Sequence, residues 1–438
     1  MRFSASWAAK ACDGTLTGPD SELCGASFDT RSIKPGELFI AVRGDRDGHE
    51  FVSTAFTSGA GACLVAADWS GARDQGGTYL EVDDPVVAIG RIAGAARDMF
   101  NGEVVGVTGS VGKTTTKELI RLAVSSCREV HASSASFNND LGVPVSILSA
   151  PESADVWVLE MGMRGFGEIA RLCRIAKPTI GVVTAVASAH SERVGGIEGV
   201  AKAKSELIAA LDENGIAILN ADDPLVAGMA NLSAARVITF GMNAGADTRI
   251  EETVLGASGC ASATVRTPWG AAPLEMHVPG AHIAIDAAAA VAVAGHIGCD
   301  IATAAANVSS FTAVSGRMEV YHLGDGCTLI DDSYNANPSS MEAALRTLAS
   351  ISAENRIAVL GAMAEISDPH REHARIQDLA ESLGIRVVVL EDAPFPQGGV
   401  TVTDAIAIIR DGGANTAVLV KGSRAARTER VVNALLAP

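Results

Sequence analysis

The sequence predicts an α/β protein of three domains, because of its length, its composition and the order of its apolar segments. A chain of 438 residues exceeds what one hydrophobic core usually serves. It is 48% hydrophobic but only 4% aromatic, which suits closely packed helices and sheets and disfavours RNA recognition by base stacking. From residue 104 onward, short apolar runs alternate with helical patterns. Such alternation predicts mostly parallel sheets with crossover helices.

The first domain is predicted over residues 1–99 as a small α/β module. Its strand-like runs, at 37–42 and 62–66, are separated by turn-rich sequence such as 44–49. The second domain, over 100–315, is predicted as a doubly wound, mostly parallel sheet around a phosphate-binding loop. Its predicted strands are 104–108, 156–159, 180–184, 216–220 and 237–240.

The third domain, over residues 316–438, is predicted as a smaller, Rossmann-like α/β domain. Its apolar runs are again separated by helical segments, and the predicted strands are 328–330, 357–360, 387–390 and 417–420. In such sheets, ligands bind outside the carboxyl ends of the strands. We therefore expect the functional residues to follow the strands directly.

Charge and cysteine usage narrow the classes of function. A formal net charge of -17 argues against nucleic acid or anionic membrane as the main partner. The eight cysteines are scattered without C-x-x-C spacing, which predicts small buried thiols in a reducing compartment. The chain shows neither a signal-peptide pattern nor an apolar run near the roughly eighteen residues of a membrane span. We expect a cytoplasmic protein.

The most informative segment, Val104 to Lys117, is an apolar strand followed by a glycine-rich turn and Gly112-Lys113-Thr114. Backbone N–H groups of such a turn point at phosphate, the lysine reaches the β- and γ-phosphates, and the threonine hydroxyl binds Mg²⁺. A nucleoside triphosphate is the expected ligand. The residues predicted to hold it are Thr108, Gly109, Ser110, Val111, Gly112, Lys113, Thr114 and Thr115.

This loop is a variant of the usual P-loop. The position five before Gly112 is Val107, and the nearest upstream glycine is Gly106. An ordinary turn between a strand and a helix is the alternative interpretation. The Gly-Lys-Thr-Thr ending between an apolar strand and a helical pattern favours the nucleotide site.

Two more candidate residues are predicted at the same sheet edge, and a third follows on a helix. Glu160 ends an apolar strand and is the natural Mg²⁺ partner of Thr114. His190 follows the next apolar strand, which makes a second metal site plausible. Lys204 lies in a helical pattern and, taken alone, is typical of a solvated helix face.

Several segments occur in an order that is typical of one known family. They are Thr108–Glu118, Phe137–Pro144, Glu160-Met-Gly, Ile175–Pro178, Ala189-His190, Gly199–Lys204, Leu219–Asp223, Gly316–Glu319, Ile330–Pro338 and Val420–Arg424. Over essentially its whole length, the chain resembles the Mur ligase family. The resemblance implies an ATP-driven amide ligase that forms an acyl phosphate from a substrate carboxylate, which an amine then attacks.

The segments 110–118 and 331–338 are most similar to family members that join D-alanyl-D-alanine to UDP-N-acetylmuramoyl-tripeptide in peptidoglycan precursor synthesis. The resemblance therefore implies these two substrates, ATP and two Mg²⁺ ions. With the net charge and the lack of a membrane span, the expected protein is a monomer that neither binds nucleic acid nor inserts into membranes. The first domain would bind the UDP-substrate, and the third would bind D-alanyl-D-alanine and complete the ATP site.

The resemblance also assigns roles to residues. It makes Lys113, His190, Lys204 and Arg317 catalytic, with Thr114 and Glu160 on the ATP magnesium, and His190 and a carbamylated Lys204 on the second ion. Nucleotide contacts from beyond the P-loop are expected from Asp286, Arg317, Asp332, Tyr334, Asn335 and Asn337. Contacts to the UDP-substrate are expected from Thr30, Arg31, Asp47, His49, Asn138 and Asn139. Because these residues lie in different domains, we expect Arg317 to stand away from the P-loop until ligands bind.

The sequence departs from the family at the expected adenine segment and at one further position. Ile283 and Asp286 stand where asparagines are usual, and Ala362 replaces an aspartate, although Glu365 and His373 remain. A carboxylate can only accept from adenine N6, whereas an asparagine pairs with both N6 and N7. The predicted preference for ATP over GTP is therefore modest.

Two alternative functions stay open at this point. One is a Mur-like amide ligase for a different acid and amine. The other is a P-loop regulator that binds or slowly hydrolyses ATP without ligation, which would leave Lys204 and His190 unexplained.

Overall fold

The computed structural model describes residues 1–72, 76–134, 136–187, 191–324, 326–364 and 366–437, without the side chains of Ser191 and Glu192. These residues form three α/β units, each built on its own sheet system. The α/β class and the mostly parallel central sheet are confirmed.

The N-terminal unit is a five-stranded sheet with an additional antiparallel strand pair. Its elements are β1 (Arg2–Ser4), α1 (Ala5–Ala11), β2 (Thr15–Thr17), β3 (Glu22–Cys24), β4 (Ala26–Ser27), β5 (Leu38–Ile40), α2 (Val52–Thr57), β6 (Ala62–Ala66), β7 (Tyr79–Val82) and α3 (Pro85–Met99). The sheet order is β2-β7-β6-β5-β4, with β1 paired to β3. Asp84 caps α3 by accepting from the N–H groups of Val86 and Val87, and Pro85 occupies its first turn.

The central unit is a nine-stranded sheet flanked by helices. Its elements are β8 (Glu103–Thr108), α4 (Lys113–Val124), β9 (Val130–Ala132), α5 (Gly142–Leu148), β10 (Val156–Glu160), α6 (Glu168–Ala176), β11 (Ile180–Val183), α7 (Ser191–Val194), α8 (Ile197–Ala209), β12 (Ile216–Asn220), α9 (Pro224–Ala227), β13 (Arg236–Gly241), β14 (Thr248–Leu255), β15 (Cys260–Thr267), β16 (Gly270–Pro279), α10 (Ala281–Ile297) and α11 (Ile301–Ser309).

The order of this sheet is β16-β15-β14-β13-β12-β11-β8-β10-β9. The strands from β9 to β14 pair in parallel, whereas β14, β15 and β16 are antiparallel. Strand β8 lies between β10 and β11, so the chain reverses its direction of winding there. This is the topological switch point at which open α/β sheets bind ligands, and the glycine-rich loop follows β8 at that point.

The C-terminal unit is a five-stranded sheet of order β17-β18-β21-β19-β20 with an antiparallel edge strand, β17. Its elements are β17 (Glu319–His322), β18 (Thr328–Asp332), α12 (Pro338–Ser350), β19 (Asn355–Leu360), α13 (Pro369–Ser382), β20 (Arg386–Val389), α14 (Val402–Asp411), β21 (Thr416–Lys421) and α15 (Glu429–Leu436). Short 3-10 helices occupy Gly48–Phe51, Gly228–Leu232 and Arg424–Ala426.

The predicted strands are confirmed, with ends within about two residues of the observed ones. The antiparallel strands β14 to β17 were not predicted. Burial alternates along β15 and β16 instead of forming the continuous apolar runs of buried parallel strands, and the edge strand β17 is only partly buried.

Two apolar clusters cover the two faces of the central sheet. One contains Val104 and Trp157 and continues without a break into Ile89 and Leu38 of the N-terminal unit. The other contains Val105 and α10, and it extends to α12 of the C-terminal unit. Both outer units therefore pack on the central one through apolar surface.

The expectation of eight buried free cysteines is wrong. Cys127 and Cys299 form a disulfide. They follow α4 and α10, and the packing of these two helices brings their Cα atoms to 5.5 Å. Of the free thiols, Cys24 is exposed and Cys260 is partly exposed, whereas Cys12, Cys63, Cys173 and Cys327 are buried as predicted. Separately, no helix in the described part of the chain has the length and apolar content to cross a bilayer.

Candidate active site

The phosphate-binding loop joins β8 to α4 and has the backbone geometry that its glycines predict. Gly112 has φ +82°, in the left-handed region that favours glycine. At Gly109, a Cβ would lie 1.8 Å from the hydroxyl of Thr184, so a larger residue would be excluded. The ammonium of Lys113 turns back over the loop and donates to the carbonyl of Gly109 at 2.8 Å. The loop thus presents a helix N-terminus and a lysine at one point, which is the requirement for binding phosphate.

The rest of the loop is anchored to strands beside it. Thr108 donates from its hydroxyl to the carbonyl of Met161 at 2.8 Å. The hydroxyl of Ser110 donates to the carbonyl of Ala187 at 3.1 Å and accepts from the N–H of Ala187 at 2.9 Å. These contacts hold the loop in place at the carboxyl ends of β10 and β11.

A buried carboxylate lies beside the loop and has two hydrogen-bond donors. Glu160, at the end of β10, is 1% exposed. It accepts from the hydroxyl of Thr114 at 2.8 Å and from the amide of Asn138 at 2.7 Å. No cation within ion-pair distance accompanies it among the described residues. A buried carboxylate and a hydroxyl are hard oxygen donors, so this pair fits a Mg²⁺ ion.

The two asparagines predicted to contact the UDP-substrate, Asn138 and Asn139, also make contacts within the protein. The side-chain amide of Asn138 donates to the carboxylate of Glu160. The side-chain oxygen of Asn139 accepts from the N–H groups of Leu141 and Gly142 at the start of α5. Asparagine is favoured at helix starts for this reason. The contact of Asn139 with the substrate stays a prediction.

Two lysines share a buried region next to the carboxylate. Lys204, on α8, is 3% exposed. Burial, followed by the charge of Lys113, lowers the pKa of Lys204 well below its usual value. Burial and the charge of Arg317 also lower the pKa of Lys113, which Glu160 opposes. Because Lys204 is buried, its interpretation as part of a solvated helix face is wrong. In the described ranges, its ammonium has no hydrogen-bond or ion-pair partner.

His190 lies outside the described residues, and so does Glu365. Across the described part of the chain, no cluster of three or more His, Cys, Asp or Glu side chains could hold a metal ion. The prediction of a second metal at His190 and Lys204 therefore stays a prediction.

A cavity of about 210 Å³ lies between the P-loop and the C-terminal unit. The sequence-predicted nucleotide residues that line it are Ser110, Val111, Gly112, Thr115, Asp286, Arg317, Asp332, Tyr334, Asn335 and Asn337. The structure thus brings together residues that are more than two hundred positions apart in the chain. The side-chain oxygen of Asn337 also accepts from the N–H of Ser340 at 2.9 Å and caps α12.

Lys421 is a cavity residue to which sequence reasoning assigned no role. Its buried ammonium contacts the carboxylate of Asp332 at 2.5 Å and the carbonyl of Asn335 at 2.9 Å. It therefore fixes two of the residues expected to contact nucleotide. Its position directly after the apolar run 417–420 is the signal that could have identified it.

Arg317 lies at the same cavity as the P-loop, so the expectation of an open arrangement is wrong for this structure. Its guanidinium carbon is 4.2 Å from the centre of the Tyr334 ring. It also donates to the hydroxyl of Ser136 in the central unit at 3.5 Å. These contacts hold the C-terminal unit against the central one.

Asp286 faces the underside of the P-loop from α10. A Cβ at Gly112 would lie 2.9 Å from its carboxylate oxygen. Burial raises the pKa of Asp286 to about 7, and the neighbouring hydroxyl of Thr116 only partly opposes this. The side chain is therefore close to half protonated near neutral pH.

Replacing Asp286 with asparagine should make the protein more stable, increasingly so as pH rises. Because the folded pKa lies above the ordinary value of 3.8, the folded state binds more protons than the unfolded state between about pH 4 and 7, and native stability falls across that window. The variant lacks this term, so its advantage should grow to at most about 4 kcal/mol at pH 8. It should also bind ATP tighter by about 1 kcal/mol.

Urea unfolding at pH 4.5, 6 and 8 measures the stability difference. Asp45→Asn, at an exposed turn, is the control and should change the free energy of unfolding by less than about 0.5 kcal/mol. A constant difference between Asp286→Asn and the native protein across the three pH values would contradict the raised pKa.

The N-terminal residues predicted to bind UDP divide into two groups. Thr30 and the 88% exposed side chain of Arg31, which pairs with Asp29 at 2.6 Å, stand at the surface. His49 is 4% exposed; its Nδ1 contacts Asp47 at 2.6 Å and its Nε2 accepts from the N–H of Ala66. Asp47 and His49 therefore contribute to the N-terminal fold, and their contact with the substrate stays a prediction.

A cleft of about 640 Å³ lies between the N-terminal and central units. Residues of both units line it, including Phe28, Asp29, Lys34, His131, Ser134 and Phe137. The rings of Phe28 and Phe137 face each other across the two units, with centroids 5.4 Å apart. Two of the lining residues, Phe28 and Asp29, directly precede Thr30 and Arg31 in the sequence. The aromatic side chains of this cleft were not predicted.

Comparisons with known proteins agree with this geometry. Residues 107–294 match the Mur ligase middle domain, and residues 316–435 match the Mur ligase, glutamate ligase domain. The chain is 34% identical to UDP-N-acetylmuramoyl-tripeptide--D-alanyl-D-alanine ligase of Escherichia coli, over 97% of this chain and 96% of that protein.

Solved structures give the same result over the whole fold. A MurF crystal structure from Acinetobacter baumannii superposes with a TM-score of 0.88 at 26% identity, covering 99% of both chains. MurF ligase from Thermotoga maritima in complex with ADP superposes with a TM-score of 0.81 at 28% identity, covering 94% of this chain and 96% of that one. The chain belongs to the Mur ligase family.

Proposed function

We propose that this protein is an ATP-dependent ligase that adds D-alanyl-D-alanine to UDP-N-acetylmuramoyl-tripeptide in peptidoglycan precursor synthesis, in the cytoplasm. The observation that carries the proposal is the cavity in which the P-loop meets Arg317 and Asp332, next to buried Thr114, Glu160 and Lys204. The similarity to the Escherichia coli ligase across nearly the whole of both chains supports the choice of substrates.

The reaction consists of two successive substitutions, the first at the γ-phosphorus of ATP and the second at the acyl carbon. First, the tripeptide carboxylate attacks the γ-phosphorus of ATP, ADP leaves, and an acyl phosphate forms. Then the amine of D-alanyl-D-alanine attacks the acyl carbon, an amide bond forms, and phosphate leaves while the amine loses a proton. Negative charge develops on oxygen in both steps, first on the transferred phosphoryl group and then on the carbonyl oxygen and the leaving phosphate. The cations Lys113 and Arg317 are placed to stabilise it.

The magnesium that accompanies ATP would be held by Thr114 and Glu160, whose oxygens converge at 2.8 Å. When bound, the ion supplies positive charge to the transferred phosphoryl group. Asn138 holds the second oxygen of Glu160 and so orients the carboxylate.

We further propose that Lys204 is carbamylated and, with His190, binds a second Mg²⁺. Addition of CO₂ requires a neutral amine, and burial lowers the pKa of Lys204 well below its usual value. The carbamate would carry a negative charge beside Lys113 and would add to the charge of Glu160, which already acts on that lysine.

In this proposal, each domain binds a different ligand. Residues 1–99 hold the UDP-substrate, with the cleft around Phe28 and Phe137 as its site. Residues 100–315 bind ATP, and residues 316–438 bind D-alanyl-D-alanine and complete the ATP site. In this arrangement the cleft and the nucleotide cavity are joined by the segment that follows β9.

Phosphate release tests the function. The purified protein with ATP and Mg²⁺ should release phosphate only when both UDP-N-acetylmuramoyl-tripeptide and D-alanyl-D-alanine are present, and mass spectrometry should find the pentapeptide product. Release that is indifferent to any amine would indicate a P-loop regulator. Ligation only with another acid and amine would indicate a Mur-like ligase of different specificity.

A further inference from the structure

The disulfide between Cys127 and Cys299 lies away from both ligand sites. Helix α4 begins at Lys113 and Cys127 follows its end, so roughly 18 Å of helix separates the bond from the P-loop. Cys299 follows α10, whose first turns carry Asp286 beside the same loop. Neither cysteine lines the nucleotide cavity or the N-terminal cleft. The proposed ligase reaction therefore leaves this pair unexplained.

Helices α4 and α10 are held together by apolar packing that does not involve the bond. Leu119, Ile120 and Ala123 of α4 belong to the same buried cluster as residues 287–294 of α10. Helix α11 also contacts the end of α4, where Asn307 donates to the carbonyl of Leu122 at 3.2 Å. This packing keeps the two sulfur atoms adjacent when the bond is open, so the bond can form and break without rearrangement of the fold.

The two sulfur atoms differ in their surroundings. Cys127 is partly exposed, whereas Cys299 is 5% exposed. The sulfur of Cys299 also lies 3.8 Å from the carbonyl oxygen of Val124, in the last turn of α4. Access decides which sulfur of a disulfide a thiol reagent attacks. Of the two residues, Cys127 offers that access.

We propose that Cys127 and Cys299 form a redox modification site for low-molecular-weight thiols and disulfides, in which Cys127 exchanges with the reagent and Cys299 resolves the adduct. In the oxidising direction, the thiolate of Cys127 attacks a disulfide RSSR, one RS⁻ leaves, and a mixed disulfide forms on Cys127. The thiolate of Cys299 then attacks the Cys127 sulfur and the second RS⁻ leaves. The two protein thiols have then lost two protons and two electrons, and RSSR has become two RSH. Two molecules of RSH reverse both steps.

The compartment agrees with a reversible bond. In a reducing compartment, disulfides are rare and are usually transient or redox-sensing. The inference rests on the proposed function only for this location, the cytoplasm.

The state of the bond should change the stability of the protein and not its turnover. The bond closes a loop of 172 residues, which includes Glu160 and Lys204. A cross-link over such a length restricts the unfolded chain strongly. The folded site is held by the packing of α4 on α10, so the P-loop and Asp286 keep their positions in both states.

Treatment of the reduced full-length protein with oxidised glutathione, followed by non-reducing peptide mapping, tests the division of roles. The native protein should form the disulfide between Cys127 and Cys299. Cys299→Ser should accumulate a glutathione adduct on Cys127, because the resolving thiol is missing, whereas Cys127→Ser should leave Cys299 unmodified. Exposed Cys24 should react in every sample and is the internal control. Modification of Cys299 as readily as Cys127, or a native pair that stays reduced while Cys24 reacts, would overturn the proposal.

Thermal unfolding and phosphate release test the consequence. Reduction of the native protein by a dithiol should lower Tm by about 5 °C or more, and kcat should change by less than about twofold. Cys127→Ser should show the lower Tm with and without the dithiol. Cys260→Ser replaces a partly exposed free cysteine of the same unit and should retain the native difference.

Each result of the second experiment decides one part of the proposal. Equal Tm values for the oxidised and reduced native protein would overturn the role in stability, and this comparison stands if Cys127→Ser fails to fold. A larger change in kcat would overturn the separation from turnover. Absence of ligation in both states would instead refute the proposed function, and it would leave the result of the peptide mapping unaffected.

Discussion

Replacing Lys113 with alanine should lower kcat by about a thousandfold or more and leave the protein folded. Removal of a single preorganised donor to developing oxyanion charge costs about 10²–10³ in kcat, and Lys113 carries a full charge at the transferred phosphoryl group. Its side chain makes one described hydrogen bond, to the carbonyl of Gly109. Truncation of the side chain should therefore change the stability of the fold very little.

Phosphate release at saturating substrates measures the effect, and thermal unfolding checks the fold. Arg121→Ala is the matched control, since Arg121 is a cation on the same helix that makes a partly exposed pair with Glu118. Such pairs contribute about 0–1 kcal/mol to stability, and activity should stay close to native. Near-native turnover by folded Lys113→Ala would refute the nucleotide assignment of the loop.

Lys204→Ala should be nearly inactive, with a loss of about a thousandfold, comparable to removal of other groups that stabilise transition-state charge. If the native residue is a carbamate, a small carboxylate can occupy the vacated position. Acetate should then restore activity at least about tenfold, which is a change of roughly 1.4 kcal/mol in the barrier. Removal of dissolved CO₂ should lower native activity reversibly.

Lys202 provides the control, because it lies two residues away on α8 and is exposed. Lys202→Ala should retain activity and respond to neither acetate nor CO₂ removal. Full activity of Lys204→Ala would exclude the lysine from the reaction. A loss of activity that acetate leaves unchanged, together with native activity that is insensitive to CO₂, would show that Lys204 acts unmodified.

Most of the parallel strands and the P-loop were predictable from local sequence, whereas the parallel strands β4, β7 and β9 were not predicted. Continuous apolar runs gave the strand positions, and Gly112-Lys113-Thr114 after such a run gave the loop. The antiparallel strands β14 to β16 were not predicted, because their alternating burial resembles neither an apolar run nor a helix.

The site was predictable only where residue type and strand end coincide. Glu160 and Thr114 meet as expected. The contact of Ser136 with Tyr334 was not predicted, because it joins residues 198 positions apart in the chain. Asn337 and Asp47, which were assigned to ligands, also cap helices. Helix capping and ligand binding select the same residue types, so sequence alone does not separate them.

The unbroken apolar layer between the N-terminal and central units has a consequence for how this enzyme could be rebuilt. Helix α3 packs against α5 and α6, and its buried Ile89, Ile92 and Ala96 belong to the same cluster as Trp157. Cut out as a fragment, residues 1–99 would expose that helix face to water. The N-terminal unit is thus not an independently exchangeable domain. A chimera that takes its N-terminal unit from a relative would also need that relative's residues on the surfaces of α5 and α6 that face α3.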